Sequence, residues 1–193
     1  MTVQKPSLLP PSFFARDAVV VAQDLLGCVV SLDGVALRIC ETEAYRGDET
    51  ACHAHRGQTR RNAPLFGPPG HAYIYLCYGI HQMLNFVTGP EGEAQGVLLR
   101  GATIEAGVEV VRARRGGRLD LIGPGKLGQA LGIHTSKSGA ALNAGWLEAR
   151  SGTRRAAEVV EAGPRVGIGY ARPEHQALPW RFRLRTPRSG RPR

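Results

Sequence analysis

The fold is decided by residues 28–45, CVVSLDGVALRICETEAY. Two runs rich in β-branched and apolar residues, Cys28–Leu32 and Val35–Tyr45, flank the dipeptide Asp33-Gly34. Asp-Gly between two such runs favours a two-residue turn whose backbone matches the twist of the adjoining strands. The sequence therefore predicts a β-hairpin here.

The second strand of this hairpin changes polarity along one face. Strict alternation of side chains places all of its odd-numbered residues on the same face. These residues are first apolar and then acidic or phenolic: Val35, Leu37, Ile39, Glu41, Glu43 and Tyr45. Because such a change is expected where a sheet meets a pocket, we predict a binding site at the end of the strand.

Similar patterns predict the remaining elements. A helix ending at Gly27 is predicted over Arg16–Leu26. The apolar face of this helix consists of Val19, Val20, Ala22, Leu25 and Leu26. Further strands are predicted at Ala72–Tyr78, Gln82–Val87, Gly96–Ala102 and Trp180–Arg185, further helices at Glu105–Arg114 and Gly125–Gly132, and a long ordered loop over Arg46–Pro69.

Strands outnumber helices in this prediction and follow hairpin spacing. We therefore expect a strand-rich α+β fold, with a curved, barrel-like antiparallel sheet and a few packed helices. One domain is expected over residues 1–185. The remaining segment, Thr186–Arg193, is rich in proline and arginine and contains no acidic residue, so we expect a disordered basic tail.

The chain is strongly basic. It has 25 Lys and Arg against 16 Asp and Glu among 193 residues, a net charge of +9 and a pI of about 10.0. Such a charge favours a polyanionic partner, and we favour nucleic acid over an anionic membrane surface. No apolar run is long enough to span a bilayer, and Met1–Pro11 lacks the apolar centre of a signal peptide. We expect a cytoplasmic, bacterial-type, nucleoid-associated protein.

The four cysteines form no Cys-x-x-Cys pair, which disfavours a zinc site. The nearest approach to a metal-ligand cluster is the segment Cys52-His53-Ala54-His55. Ligands so close together in one loop seldom complete a site without distant partners. Buried, reduced thiols are the better interpretation, and we expect neither a metal nor another cofactor.

Residues 41–100 combine the side chains that recognition of a purine requires. The set contains carboxylates, aromatic rings and hydrogen-bonding groups: Glu41, Glu43, Tyr45, His53, His55, Tyr73, Tyr75, Tyr78, Asn85 and Arg100. Flat aromatic faces stack on an extruded base, a carboxylate activates water, and amide or guanidinium groups contact the base edge. Each residue alone also fits an ordinary structural role, so the prediction depends on their combination in a basic chain.

Seven motifs along nearly the whole chain resemble the alkyladenine (3-methyladenine) DNA glycosylase family, in that family's order and approximate spacing. They are ETEAY (41–45), QTRRN (58–62), GPPG (67–70), YIYLCYG (73–79), VLLR (97–100), GPGKL (123–127) and RVGIG (165–169). The resemblance implies a monofunctional enzyme of base-excision repair. Such an enzyme flips an alkylated or deaminated purine, of the 3-methyladenine, hypoxanthine or ethenoadenine class, from double-stranded DNA. It then hydrolyses the N-glycosidic bond and leaves an abasic site.

The resemblance also implies roles for individual residues. Glu43 is implied to be the general base, and Tyr78 the wedge that fills the space left by the flipped nucleotide. The residues implied to form the base pocket are Tyr45, His53, Tyr75, Asn85, Arg100 and Val166, the last through its backbone. The alternative for Glu43 is a structural ion pair with an arginine such as Arg38.

Spacing alone leaves other assignments open. Glu41 lies two residues from Glu43 on the same predicted face, and His55 lies two residues from His53. Asn85 also fits a structural role as the cap of a turn. Only the resemblance favours Glu43, His53 and a pocket role for Asn85.

Four residues are candidates for contacts with DNA phosphates: Thr59, Arg61, His81 and Lys126. The alternative for each of them is an ordinary solvated surface. We expect the protein to act as a monomer, because flipping by one domain requires no partner.

Two other functions fit parts of the sequence. A non-catalytic nucleic-acid binder would use the tyrosines as a stacking platform. A nucleosidase would cleave free nucleosides, for which so basic a surface has little use. None of the three lysines adjoins the tyrosines and carboxylates in sequence, which argues against a Schiff-base lyase. One departure from the family pattern is Ala54, where a serine is common.

Overall fold

One antiparallel sheet of eight strands, curled into a half-barrel, forms the centre of the molecule. The structure is a computed structural model that describes residues 6–186. The strands are β1 Val29–Leu32, β2 Val35–Arg46, β3 Ala72–Cys77, β4 His81–Val87, β5 Gln95–Ala106, β6 Glu148–Arg150, β7 Val159–Gly163 and β8 Arg181–Arg185. The main order is β3-β4-β5-β2-β1-β6, and β8 pairs with both β2 and β7. The predicted strand-rich α+β class is confirmed.

Short helices and 3-10 turns cover and connect the sheet. The helices are α1 Pro11–Phe14, α2 Ala18–Asp24, α3 Val108–Arg114, α4 Pro124–Leu131 and α5 Pro173–Gln176, and the 3-10 turns are Ala63–Phe66 and Thr135–Lys137. None of the helices in the described residues has both the length and the apolar character needed to cross a bilayer. The tail expected over Thr186–Arg193 lies, apart from Thr186, outside the described residues.

The predicted hairpin is confirmed. Leu32 pairs with Val35, and the turn residues Asp33 and Gly34 both have positive φ, 48° and 78°. Positive φ at both central positions is the type I′ geometry that Asp-Gly favours.

Several predicted boundaries and one predicted contact are wrong. Helix α2 begins only at Ala18, because the Asp17 side chain accepts a hydrogen bond from the Val19 N–H and caps the helix there. Val20 points outward and is 44% exposed, so it does not belong to the apolar face. Strand β5 continues through Ala106, which delays the helix predicted from residue 105 until Val108.

The alternation predicted along β2 is also wrong, because the strand contains a β-bulge. Ile39 pairs with Ala102, Glu41 with Gly101 and Thr42 with Leu99, so the register shifts one way before Glu41 and back again after it. Ile39 faces the core, and three residues later Thr42 faces it again, where its hydroxyl donates to the Ala22 carbonyl of α2. An extra residue in a strand reverses the faces of all residues after it.

The reversal moves the acidic end of β2 to the face opposite the core. Val35, Leu37 and Ile39 lie in the main hydrophobic core, whereas Tyr45 packs against a second, smaller cluster. Glu41, Glu43 and Tyr45 do share a face, as predicted, but it is not the face of the three apolar residues. The bulge therefore separates a core-facing half of β2 from a site-facing half.

The loop predicted over residues 46–69 is irregular apart from its 3-10 turn, as expected. Buried Asn62 ties it together: its side-chain amide donates to the carbonyls of His53 and Gly57, and its side-chain oxygen accepts from the Thr59 N–H. These bonds fix the path of the loop as it passes over the sheet.

Helix α4 packs on β4 through a glycine. A Cβ atom at Gly128 would overlap the carbonyl oxygen of Gln82. We therefore expect Gly128→Ala to destabilise the protein by about 1–3 kcal/mol, although alanine is the better helix former. Thermal unfolding measures this change. The control is Gly163→Ala, where a Cβ meets no atom within 4 Å; a melting temperature of Gly128→Ala at or above that of the wild type would contradict the expectation.

Candidate active site

A concave space with largely aromatic walls opens on the face of the sheet opposite the main core. It encloses about 360 Å³, part of which is open solvent. Its walls come from β2, β3, β4, β5 and the loops that follow β2 and β7: Tyr45, Ala51, Cys52, His53, Leu65, Tyr73, Tyr75, Asn85, Gly96 and Tyr170. Below, this space is called the aromatic cavity. Four of the predicted site residues line it, namely Tyr45, His53, Tyr75 and Asn85.

The Glu43 carboxylate lies beside the cavity and is fully buried. One carboxylate oxygen accepts the Val166 N–H at 2.9 Å, and the other accepts the hydroxyl of Tyr45, also at 2.9 Å. Glu43 is not part of the cavity wall. It adjoins the cavity through Tyr45, whose ring forms part of that wall. Val166, predicted to complete the base pocket through its backbone, contacts Glu43 by its N–H and is not part of the cavity wall.

Burial raises the pKa of the Glu43 carboxyl above its ordinary range. Arg100, the Val166 N–H and the Tyr45 hydroxyl act in the opposite direction, because each stabilises the ionised form. The raised pKa means that the carboxylate is a better proton acceptor than an exposed glutamate.

Arg100 lies between the two carboxylates and not in the cavity wall. Its Nε is 3.2 Å from Glu41 and 3.5 Å from Glu43. Glu41 is also 3.5 Å from Arg181, so it has two cationic neighbours. Arg38, the partner considered for Glu43 from sequence, instead binds Glu158 and the Thr153 carbonyl. The structure thus separates the two glutamates: Glu41 belongs to an arginine cluster, and Glu43 adjoins the cavity.

His53 lines the cavity, and His55 does not. The His53 Nδ1 is 3.0 Å from the Tyr73 hydroxyl, and its ring meets that of Tyr75 edge-on with centroids 4.5 Å apart. Burial, together with the charge of Arg61, lowers the pKa of the His53 imidazole, which keeps the ring neutral near pH 7. His55 bonds to the Cys52 carbonyl outside the cavity.

Asn85 is oriented by the neighbouring strand. Its amide nitrogen donates to the Tyr73 carbonyl at 3.1 Å, and its side chain is buried against the cavity. The bond fixes which way the amide points. Asn85 caps no turn, so the alternative considered from sequence does not describe its position.

Tyr78 stands at the tip of the β3–β4 hairpin. Its side chain is 88% exposed, and its backbone is left-handed, with φ 50°. Left-handed backbone is uncommon for a residue other than glycine and usually requires a turn. Ile80 is also 72% exposed, so the tip presents apolar surface to solvent.

The four candidate phosphate ligands are exposed, but they are not all free of partners. Lys126 pairs with Asp120, and Arg61 donates to the Leu76 carbonyl and lies over the Tyr75 ring, 5.6 Å from its centre. The hydroxyl of Thr59 accepts the Asn62 N–H. His81 packs against Gly125 in the first turn of α4. His81 begins β4, and Arg61, in the loop after β2, donates to Leu76 near the end of β3, so both side chains lie beside the hairpin tip.

Sequence reasoning gave no specific role to three residues that the structure places at or behind the cavity, although Tyr73 was among the aromatic rings named. Tyr73 lines the cavity two residues from Tyr75 on the same face of β3, and this spacing was available as a signal. Tyr170 closes part of the rim and donates its hydroxyl to the Ala51 carbonyl. Arg165, the first residue of RVGIG, is buried beneath Tyr45. No pattern in the sequence marks Tyr170 or Arg165 for these positions.

The segment Cys52-His53-Ala54-His55 does not gather metal ligands. Within residues 6–186, no three histidine, cysteine or acidic side chains are grouped so as to hold a metal ion. Burial raises the pKa of the Cys52 thiol to about 11, so this cysteine is a protonated wall residue.

The buried carboxylate has a consequence for stability. Since the pKa of Glu43 is raised in the folded state, the unfolded chain ionises first, and stability falls as pH rises towards the folded-state pKa. We expect Glu43→Gln to raise the melting temperature by a few degrees near neutral pH. The gain should shrink as pH falls into the ordinary glutamate range. Thermal unfolding across this range tests the expectation, and a variant that is less stable at neutral pH contradicts it.

Comparison with known proteins assigns the chain to a family. The family model for methylpurine-DNA glycosylases (MPG) matches residues 12–188. A protein of Nitrosococcus oceani, provisionally named a 3-methyladenine DNA glycosylase, is 53% identical over 92% of this chain and 90% of its own. A DNA-3-methyladenine glycosylase of Arabidopsis thaliana is 50% identical over 91% of this chain and 70% of its own. The chain therefore belongs to the methylpurine-DNA glycosylase family and is a DNA glycosylase.

Proposed function

We propose that this protein is a monofunctional DNA-3-methyladenine glycosylase that removes alkylated or deaminated purines flipped out of double-stranded DNA. The substrate class is that of 3-methyladenine, hypoxanthine and ethenoadenine, and the product is an abasic site. One observation carries the proposal: a buried carboxylate, Glu43, is hydrogen-bonded to a tyrosine that forms the wall of an aromatic cavity.

Glu43 has the properties of the general base. Cleavage of an N-glycosidic bond builds positive charge on the sugar, as in glycoside hydrolysis. An ionised carboxylate stabilises that charge and takes a proton from the attacking water. The Val166 N–H and the Tyr45 hydroxyl hold the two oxygens in place, so the base is oriented before the substrate arrives.

The cavity walls suit a damaged purine. Tyr45 and Tyr75 supply electron-rich faces, which favour a cationic base such as 3-methyladenine. Neutral His53 and the oriented amide of Asn85 supply hydrogen-bonding groups for a neutral base such as hypoxanthine. In this proposal Asn85 also excludes guanine by crowding its 2-amino group.

Glu43 is fully buried in the structure, so water must gain access to it during the reaction. Two contacts stand in the way, the Tyr45 hydroxyl and the segment that carries Val166. In this proposal, entry of the base displaces one of them and brings the sugar and a water to the carboxylate. Tyr170, whose hydroxyl is bonded to the Ala51 carbonyl, lines the cavity and is 66% exposed, so it is placed to meet the incoming base.

Recognition of the duplex is assigned to the hairpin tip and the basic surface. Exposed Tyr78 fills the gap in the stack, which offsets part of the cost of flipping. The charge of +9 supplies attraction to the phosphates, with Thr59, Arg61, His81 and Lys126 as the proposed contacts. We propose that the enzyme acts as a monomer in the cytoplasm, in association with the nucleoid.

The base role predicts loss of turnover with retention of binding. Purified protein is incubated with duplexes that carry one hypoxanthine or one ethenoadenine, and alkali then cuts the strand at each abasic site. Glu43→Gln should lower the single-turnover rate by about 10²–10⁴-fold while lesion DNA is still bound. Glu158→Gln is the control, because that glutamate pairs with Arg38 away from the cavity.

The outcome separates this function from the two others considered. Binding without scission in the wild type would favour a non-catalytic stacking protein. Cleavage of free nucleosides, with no preference for duplex DNA, would favour a nucleosidase. Equal rates for Glu43→Gln and Glu158→Gln would remove Glu43 from the chemistry.

The raised pKa of Glu43 predicts the pH dependence of cleavage. Only the ionised carboxylate accepts a proton, so the rate should fall as pH drops through a value above the ordinary glutamate range. Single-turnover rates measured across the acid range test this prediction. If the rate instead falls at the pKa of an exposed glutamate, burial does not set the pKa of the general base.

The wedge role predicts a change in capture of the base. Tyr78→Ala should weaken binding to lesion DNA and leave the acid limb of the rate unchanged, because Tyr78 does not line the cavity.

The affinity for DNA should also fall with salt, with a slope of about −0.9 per neutralised phosphate, and Arg61→Ala should reduce that slope by about one. Salt-independent binding would contradict the duplex model.

A further inference from the structure

The structure contains a buried ion pair directly behind the proposed base, and we propose that this pair, Arg165 with Glu49, is a positioning device for Glu43. It acts by holding the Val166 N–H and the ring that carries the Tyr45 hydroxyl, the two groups that donate hydrogen bonds to the Glu43 oxygens. The inference deepens the proposed function and rests on it. Arg165 touches neither Glu43 nor the cavity, so its role is indirect.

Several hydrogen bonds hold the Arg165 guanidinium in place. Its guanidinium binds Glu49 with both terminal nitrogens, and the two side chains are 0% and 2% exposed. The same nitrogens donate to the carbonyls of Ala44 at 2.8 Å and His175 at 3.1 Å. A planar guanidinium with donors in a fixed fork is suited to this kind of multiple anchoring, and a lysine is not.

These contacts determine the position of the Val166 N–H. Val166 follows Arg165 directly, and its own side chain is 45% exposed, so packing of that side chain does not hold the segment in place. The Arg165 side chain ties the segment to β2 at Ala44 and to the loop at Glu49. The N–H of the next residue is thereby held 2.9 Å from Glu43.

The same guanidinium also supports the other contact of Glu43. Its central carbon lies 4.7 Å from the centre of the Tyr45 ring and 5.2 Å from that of Trp180. A cation over an aromatic face is attractive, particularly when both are removed from water. Arg165 therefore fixes the ring from which the Tyr45 hydroxyl donates to Glu43.

The effect on Glu43 works through geometry and not through the charge of Arg165, because Glu49 neutralises that charge. The charged or titratable groups facing Glu43 are Arg100 from β5, Glu41 and Tyr45 from β2, and Tyr75 from β3. Arg181 of β8 lies against Glu41. Changes at Arg165 that conserve net charge remove none of these groups, so they act on Glu43 through its hydrogen bonds to the Val166 N–H and the Tyr45 hydroxyl.

The chain offers a matched control for such changes. Arg38 and Glu158 form a second bidentate pair, with side chains 7% and 10% exposed, and Arg38 likewise donates to a backbone carbonyl. That pair touches neither Glu43, Tyr45 nor Val166. If the Arg165–Glu49 pair only stabilised the fold, changing it would affect Glu43 no more than changing the Arg38–Glu158 pair.

The test uses two charge-conserving changes at each pair. One is the single substitution Arg165→Lys. The other is the double variant Arg165→Met with Glu49→Leu, since replacing a buried ion pair by apolar residues of similar volume often preserves folding. The controls are Arg38→Lys and Arg38→Met with Glu158→Leu. Thermal unfolding identifies the folded variants.

Two readouts follow Glu43 in the folded variants. The first is the titration of its side-chain carboxyl by ¹³C NMR, with the signal assigned from its absence in Glu43→Gln. The second is the acid limb of the single-turnover rate on whichever lesion duplex the wild type cleaves. In the Arg165 variants, loss of a hydrogen bond to the charged carboxylate should move the Glu43 titration and the acid limb upward by about one pH unit. In the Arg38 variants, neither should move.

Each outcome bears on the inference separately from the proposed function. An unchanged Glu43 titration in a folded Arg165 variant, or an equal shift in the Arg38 controls, overturns the positioning role. If both Arg165 variants fail to fold while the Arg38 variants fold, the pair is a requirement of the fold and the inference also fails. If the wild type cleaves no lesion, the proposed function fails, but the NMR titration still decides whether Arg165 positions Glu43.

Discussion

The site depends on keeping one carboxylate buried without leaving its oxygens unpaired. Burial of an ionised group is costly unless hydrogen bonds and opposite charge compensate for it. Here the compensation comes from three places that are distant in sequence: a phenol on the same strand, an arginine on the neighbouring strand and a backbone N–H beyond residue 160. The pKa of the Glu43 carboxyl therefore depends on the correct assembly of all the elements around it.

Much of the fold was predictable because local chemistry decides it. Asp33-Gly34 imposed its turn, and the strand and helix patterns placed most of the elements to within a few residues. Strands β6 and β7 were not predicted, since β6 has only three residues and β7, VVEAG, lacks the alternation of apolar and polar residues that marks β8. The face of Glu43 was mispredicted, because alternation assumes a regular ladder and a bulge is set by pairing with β5.

The site was predictable only in part. Tyr45, His53, Tyr75 and Asn85 were assigned to the base pocket through the family resemblance, and the structure brings all four to one cavity; their roles there remain predictions. Arg100 was expected at the base and instead lies between two glutamates. Arg165 and Tyr170 were missed as site residues because their importance comes from long-range contacts, with Glu49 and Ala51, that no local spacing reveals.

The bulge in β2 also separates two demands on a single strand. Before the bulge, the odd-numbered side chains of β2 fill the space beneath α2. After the bulge, the odd-numbered side chains lie on the face of the sheet that carries the cavity. Deleting one residue at the bulge would keep the chain's composition nearly intact and yet turn Glu43 towards the hydrophobic interior and Thr42 towards the cavity. Insertions and deletions near residue 40 should therefore be far less tolerated during evolution than substitutions there.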